Sequence, residues 1–182
     1  MKYISLSDGL RFPWGRPGRL WNILWLFVPI FGWLALIGYG VTIIKSIVKG
    51  DTKKLPAMEG FWEHNKIGFM YIIRLIPIYV IIYLLGRIPF IGVVVSLCAN
   101  LFFLPYLAMN VAMKEKLSAS FEFMNVWNAL TKDFVGYIVA LLKGIVYALV
   151  YVLASIILIG IPCLMLGSQV FMANWFSKHW KK

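Results

Sequence analysis

Residues 132–167 read KDFVGYIVALLKGIVYALVYVLASIILIGIPCLMLG, and the rest of the chain repeats the design of this stretch. Lys132 and Asp133 open it as an interfacial pair, and residues 134–158 follow as an almost unbroken apolar run. About 20 residues rising ~1.5 Å each cross the hydrocarbon core of a bilayer as a helix, so this run is predicted to span. Lys143 is its one charge. Gly136, Ala140, Gly144 and Ala148 recur at every fourth position and fall on one face of the helix. Such a smooth stripe lets a second helix approach closely, either within the monomer or across a dimer. Gly160-Ile161-Pro162 reads as a turn, with Cys163 onward heading back. Helix, proline tip and returning helix make a hairpin.

Working outward, the same device recurs. The tips read Val28-Pro29-Ile30-Phe31-Gly32, Ile88-Pro89-Phe90-Ile91-Gly92 and Ile161-Pro162-Cys163. Ahead of them stand polar segments beginning Leu6-Ser7, Leu55-Pro56 and Leu117-Ser118, each followed by an acid and aromatics. Residues 1–19 hold prolines at 13 and 17, which prevent one long helix and predict a short amphipathic segment among the headgroups. In residues 114–132, Leu117, Phe121, Met124, Trp127 and Leu130 follow helical spacing, with Ser118 as N-cap and Glu122 near the first turn. Residues 67–85, with Arg74 and a kink expected at Pro77, and 90–113 are further crossings. The expected fold is therefore all-α: a polytopic transmembrane helical bundle of about five full crossings. A short N-terminal re-entrant or interfacial helix over residues 20–28 precedes them. The whole chain, 1–182, is read as a single integral membrane domain with a weak threefold hairpin repeat, in units 1–50, 51–116 and 117–182.

Composition agrees with lipid as the solvent. Of the residues 62% are hydrophobic and 14% charged, more apolar surface than a soluble domain of this length can hide. Continuous rather than alternating apolar runs favour helices over a barrel. The net charge of +11 flanks the apolar runs instead of clustering in a groove, which points to anionic membrane lipids and away from nucleic acid. With all three tips on one side, every Lys and Arg except Arg87 and all seven acids fall toward the other. The positive-inside rule makes that side cytoplasmic, with both termini there, in a multi-pass protein of the cell membrane. No cleavable signal pattern precedes the first apolar run. Trp14, Trp21, Trp62, Trp127, Trp175 and Trp180 are expected as an interfacial belt.

Arg74 and Lys143 follow Gly68 and Gly136 by six or seven residues, which places both cations at similar depth. By helical rise that is ~9–11 Å inside the interface. Either they snorkel to the headgroups, or together they form a cationic site for a lipid phosphate or another anion. Asn100, Asn110 and Asn174 are placed to hydrogen-bond between helices. His64 and His179 stand alone, so no metal pair is expected. Cys98 and Cys163 read as small buried apolar residues. No catalytic constellation, metal set or cofactor fingerprint is present in the sequence.

Arg11-Phe12-Pro13, residues 29–32, Gly38-Tyr39, Gly50-Asp51 and above all Leu55-Pro56-Ala57-Met58-Glu59 followed by Gly68 resemble a family of small polytopic membrane proteins. That family is domain of unknown function 4013, mainly archaeal and bacterial. Pro105-Tyr106 and Gly160-Ile161-Pro162 resemble its later landmarks; Met58 departs from it, where the family often has an aromatic. The resemblance implies a prokaryotic integral membrane protein and carries over no functional residue. The expected function is that of a non-enzymatic scaffold or accessory subunit of a membrane complex, assembling with itself or with another membrane protein. The alternative is a small transporter, channel or anionic-lipid-binding protein centred on Arg74 and Lys143.

Overall fold

A computed structural model describes residues 3–180. Met1, Lys2, Lys181 and Lys182 lie outside it, and with them the chain ends expected on the cytoplasmic side. The described chain is helical, and four of its helices are long and apolar enough to cross a membrane: Phe31–Val48, Phe61–Gly86, Gly92–Lys114 and Phe134–Ala154. The further crossing expected after the third tip is in two pieces, Gly160–Gly167 and Val170–His179. Two compact units result, one holding the chain up to Phe69 and from Asp133 onward, the other Met70–Lys132. The segments expected as the first and third hairpins thus share a unit.

In the first unit, α1 (Leu6–Arg11) starts on Ser5, whose hydroxyl accepts from the Asp8 amide at 3.1 Å. Short 3-10 turns follow at Phe12–Gly15, then a longer 3-10 helix at Pro17–Phe27. Eleven residues is long for this geometry, since runs beyond about four are uncommon. At ~2.0 Å per residue it reaches ~22 Å, farther than an α-helix of the same length but short of the ~30 Å hydrocarbon core. Next comes α2 (Phe31–Val48), then the first turns of α3 (Phe61–Gly86). Backbones touch where they cross: a Cβ on Gly38 would fall inside the His64 carbonyl, and one on Gly68 inside that of Leu34. In lipid, where apolar surface alone drives no helix association, such close approach is what packs two helices. The same unit holds α7 (Phe134–Ala154), α8 (Gly160–Gly167) and α9 (Val170–His179), with α9 against both α2 and α7. Phe12, Tyr39, Ile47, Leu55, Tyr137, Tyr147, Phe171 and Trp175 fill its core. The N-terminal segment expected among the headgroups therefore supplies a core residue, Phe12, and the polar segment before α3 supplies Leu55. In α2, 56% of the apolar span is buried, against 22% in each of the other three spans, so α2 is the most enclosed of the four.

The tips share a local geometry. Ile30 (φ 63°), Phe90 (φ 65°) and Leu158 (φ 62°) lie in the left-handed region, each two residues before a glycine, Gly32, Gly92 or Gly160. In each case a Cβ on the glycine would strike a carbonyl of the preceding helical segment: Trp25, Gly86 or Tyr151. At the first two tips the amide after the left-handed residue returns to the proline carbonyl at 2.8 Å, Phe31 to Pro29 and Ile91 to Pro89. With ψ −70° at Ile30, that is the rare, strained form of γ-turn. The third tip differs from expectation. Its turn lies at Leu158, after a 3-10 turn at Ser155–Ile157, and Pro162 sits inside α8. Glycine, not proline, marks the equivalent place, because the return helix must start against the backbone it has just left.

The second unit holds the rest of α3, which runs unbroken through Pro77. Then come α4 (Gly92–Cys98), a π-turn at Ala99–Phe103, α5 (Leu104–Lys114), a 3-10 turn at Leu117–Phe121 and α6 (Phe123–Lys132). The π-turn precedes Pro105, whose ring cannot sit against the carbonyl four residues back in a regular α-helix. The amphipathic helix begins at Phe123, later than expected, and Ser118 caps nothing, because Glu122 turns its side chain back to α5.

Candidate functional site

The densest polar arrangement of the first unit centres on Asp133. It is the N-cap of α7, accepting from the Gly136 amide at 3.0 Å. Its other carboxylate oxygen accepts from Trp175 Nε1 at 3.1 Å and from the Tyr3 hydroxyl, with His179 Nε2 at 3.5 Å. Trp175 and His179 lie one turn apart on α9, with their rings 4.7 Å apart. The absence of a side chain at Gly136 is what lets the carboxylate fold over the helix end, since a Cβ would collide with it. Burial raises the Asp133 carboxyl, but Tyr3, the Gly136 amide, His179 and Trp175 together outweigh that and hold it below the usual carboxylate range. The Tyr3 phenol is pushed up to about 12 by burial, then by its bond to Asp133 and the charge there. Lys178 Nζ lies 2.8 Å from the centre of the Tyr3 ring, a cation over an aromatic face.

Next to this clamp, Lys143 takes a role absent from the sequence reading. Its ammonium donates to the Ile4 carbonyl at 2.8 Å, while the Ile4 amide donates to Asn174 Oδ1 at 3.0 Å. The backbone of Ile4 is thereby pinned on both sides, by α7 and by α9. A cavity of about 10 Å³ remains, lined by Tyr3, Ile4, Ala140, Lys143, Phe171 and Asn174 among others. That is room for one water, and a phosphate is larger.

The remaining expected residues take separate places. Arg74 belongs to the second unit, half-buried on α3, with its backbone carbonyl accepting from the Ser120 hydroxyl. Asn110 bridges two turns there, donating to the Ala119 carbonyl at 3.1 Å and to Glu122 Oε2 at 3.0 Å. Asn100 folds onto its own helix, donating to the Ser96 carbonyl at 2.8 Å. The small-residue stripe divides: Gly136 seats Asp133, Ala140 is buried, Ala148 is half-buried, and a Cβ on Gly144 would meet nothing within 4 Å. Trp175, expected in the interfacial belt, is 1% exposed, because its indole is spent on Asp133. Trp21, Trp62 and Trp127 are exposed. Cys163 is buried as expected and Cys98 is exposed on α4. Among the described residues no three His, Cys, Asp or Glu converge as metal ligands.

Asp133, Tyr3, Trp175 and Ile4 were missed as a group. A signal existed for one of them: an acid directly before an apolar helix with glycine three residues on is a capping pattern. No family model, curated protein or solved structure matches the chain.

Proposed function

We propose that the chain is a non-enzymatic integral membrane protein of the cell membrane, a scaffold or accessory subunit of a membrane complex, with both termini cytoplasmic. One observation carries this reading: the strongest polar groups of the first unit, Asp133, Lys143 and Asn174, are spent on holding the N-terminal segment to α7 and α9. The faces turned outward are apolar, with Phe69, Ile76, Tyr83, Leu142, Leu149 and Leu153 all exposed. Such a body offers its neighbours shape and apolar area. The finer architecture belongs to the proposal too: three helical hairpins with about five crossings, related to domain of unknown function 4013. The shared tip geometry supports the repeat, with Leu158–Gly160 as the third tip in place of Pro162.

The test is co-purification from native membranes with mass measurement of the particle. A reproducible partner or self-assembly is expected, weakened by Gly144→Leu, which should leave the fold intact because the added side chain meets open space. A solitary monomer under mild extraction would sink the reading. The transporter or anion-site alternative would need Lys143 to leave Ile4, and retention of anionic lipid lost in Arg74→Ala and Lys143→Ala alike would revive it.

A further inference from the structure

The first unit has a second concavity, far larger than the one at Lys143. A groove of about 630 Å³ runs beside the long 3-10 helix, lined by Pro17, Leu20, Trp21, Leu24 and Phe27 on one side and by Leu158, Ile159, Ile161 and Pro162 on the other. Its lining is apolar from end to end. Trp14, just before the Pro17 end of that helix, is held by Nε1 donating to the Tyr151 hydroxyl at 2.9 Å, and Phe27 ends the helix at its other terminus. The volume lies within the ~300–1,000 Å³ of small-molecule sites.

The two ends differ in charge. Arg16 lies between Trp14 and Pro17, and Arg19 follows one turn on, with its guanidinium donating to the Leu55 carbonyl at 3.1 Å. The backbone of Lys53 packs against Gly15, which brings Lys53 and Lys54 to the same end. Residues 9–50 contain no acid, and Asp51, which accepts from the Lys53 amide at 3.4 Å, is outnumbered by these four cations. At the other terminus of the helix stands Phe27, and Leu158 and Ile159 are apolar lining too. A ligand matched to this groove has a long apolar body and one negatively charged end.

We propose that the groove is a binding site for a single anionic phospholipid, an acyl chain lying along Pro17–Phe27 and the phosphate at Arg16, Arg19, Lys53 and Lys54. A helix is at least ~10 Å across and would enter such a groove only in part, whereas a single acyl chain is thinner. Charge decides against a neutral lipid or a detergent tail, since each Lys or Arg near an anionic headgroup contributes about 1 kcal/mol. The 3-10 geometry fits the role: by stretching the segment to ~22 Å it lays a wall as long as the chain it faces. The site is distinct from Arg74 and Lys143, and it stands whether the protein acts as a scaffold or a transporter.

The experiment uses the full chain in vesicles of phosphatidylcholine and phosphatidylglycerol at 4:1. A trace of phosphatidylglycerol or phosphatidylcholine carrying a photoreactive acyl chain is added, and the labelled peptides are mapped by mass spectrometry. The phosphatidylglycerol probe is expected to label residues 20–27 and 158–162 severalfold above the outer faces of α3 and α7, and above the phosphatidylcholine probe. Arg16→Gln with Arg19→Gln should cut that preference about tenfold, and Ile161→Trp should abolish groove labelling for both probes. Even labelling over all apolar faces, or equal labelling by the two headgroups, overturns the proposal. Because both wild-type outcomes are decisive, a variant that fails to fold does not rescue it.

Discussion

Each unit is closed by one carboxylate, and the two do so in opposite ways. Glu122 works locally: Lys114 at 2.6 Å, Asn110 at 3.0 Å and Asn125 at 2.5 Å all lie within 12 residues of it in the chain. Asp133 works at long range, with Trp175 42 residues away and Tyr3 130 away. Glu122 is met by a cation and two amides, so its charge is balanced where it stands. Asp133 is met mostly by neutral donors, and it also caps the longest apolar helix of its unit. A local clamp re-forms as soon as its own turn forms, whereas a long-range clamp holds only once distant segments are packed, so the loss of Asp133 should reach further.

Acid is the broadest way to break the comparison, because it strikes both clamps. Both carboxyls are held below their ordinary range: burial alone would raise them, but their hydrogen-bond donors prevail. Their contribution is thus complete above the unfolded values of about 4 and is lost as pH falls through the folded ones. Thermal unfolding in detergent should show melting temperature falling steeply below about pH 4. The next largest effect separates them. Asp133→Ala removes a helix cap, worth about 1 kcal/mol, and strands the buried Trp175 donor, worth about 1–3. A total loss of about 3 kcal/mol is expected, read as a lower melting temperature together with exposure of the N-terminal segment to protease.

Lys143→Met comes third. Releasing the Ile4 carbonyl should cost roughly 1 kcal/mol and speed hydrogen exchange around residues 3–5, with the helical content unchanged. Unchanged exchange there would show that the lysine is no strut. Glu122→Gln keeps the shape but gives up the ion pair with Lys114, whose side chain is 28% exposed, and should cost about 1 kcal/mol or less. Alkali reaches the Asp133 clamp through Tyr3. The Tyr3 phenol is raised from 10.0 to about 12, so the neutral donor is favoured by folding. That contribution is complete below pH 10 and fades as pH rises toward 12, a loss that Tyr3→Phe should remove from the pH profile.

Several elements were legible because they depend on neighbours in the chain. The apolar runs, the two tips at Pro29 and Pro89 and the interruption near Lys114 all follow from composition and local turn chemistry. The third turn lies at Leu158, four residues before Pro162, because its geometry needs Gly160 against the Tyr151 carbonyl and a proline alone does not fix where a chain reverses. Trp175 looked like a belt residue, since an aromatic near the end of an apolar run has the same sequence signature whether it faces lipid or a buried carboxylate.

Length and hydropathy were enough to make this chain helical and to mark helices long and apolar enough to cross a membrane, because a bilayer screens each segment by its own composition. The partners of Asp133, the docking of Lys143 on Ile4 and the groove between residues 17–27 and 158–162 belong to the folded state alone. They join segments 42 to 139 residues apart in the chain, and no local preference encodes which distant helix end will be within a hydrogen bond's reach.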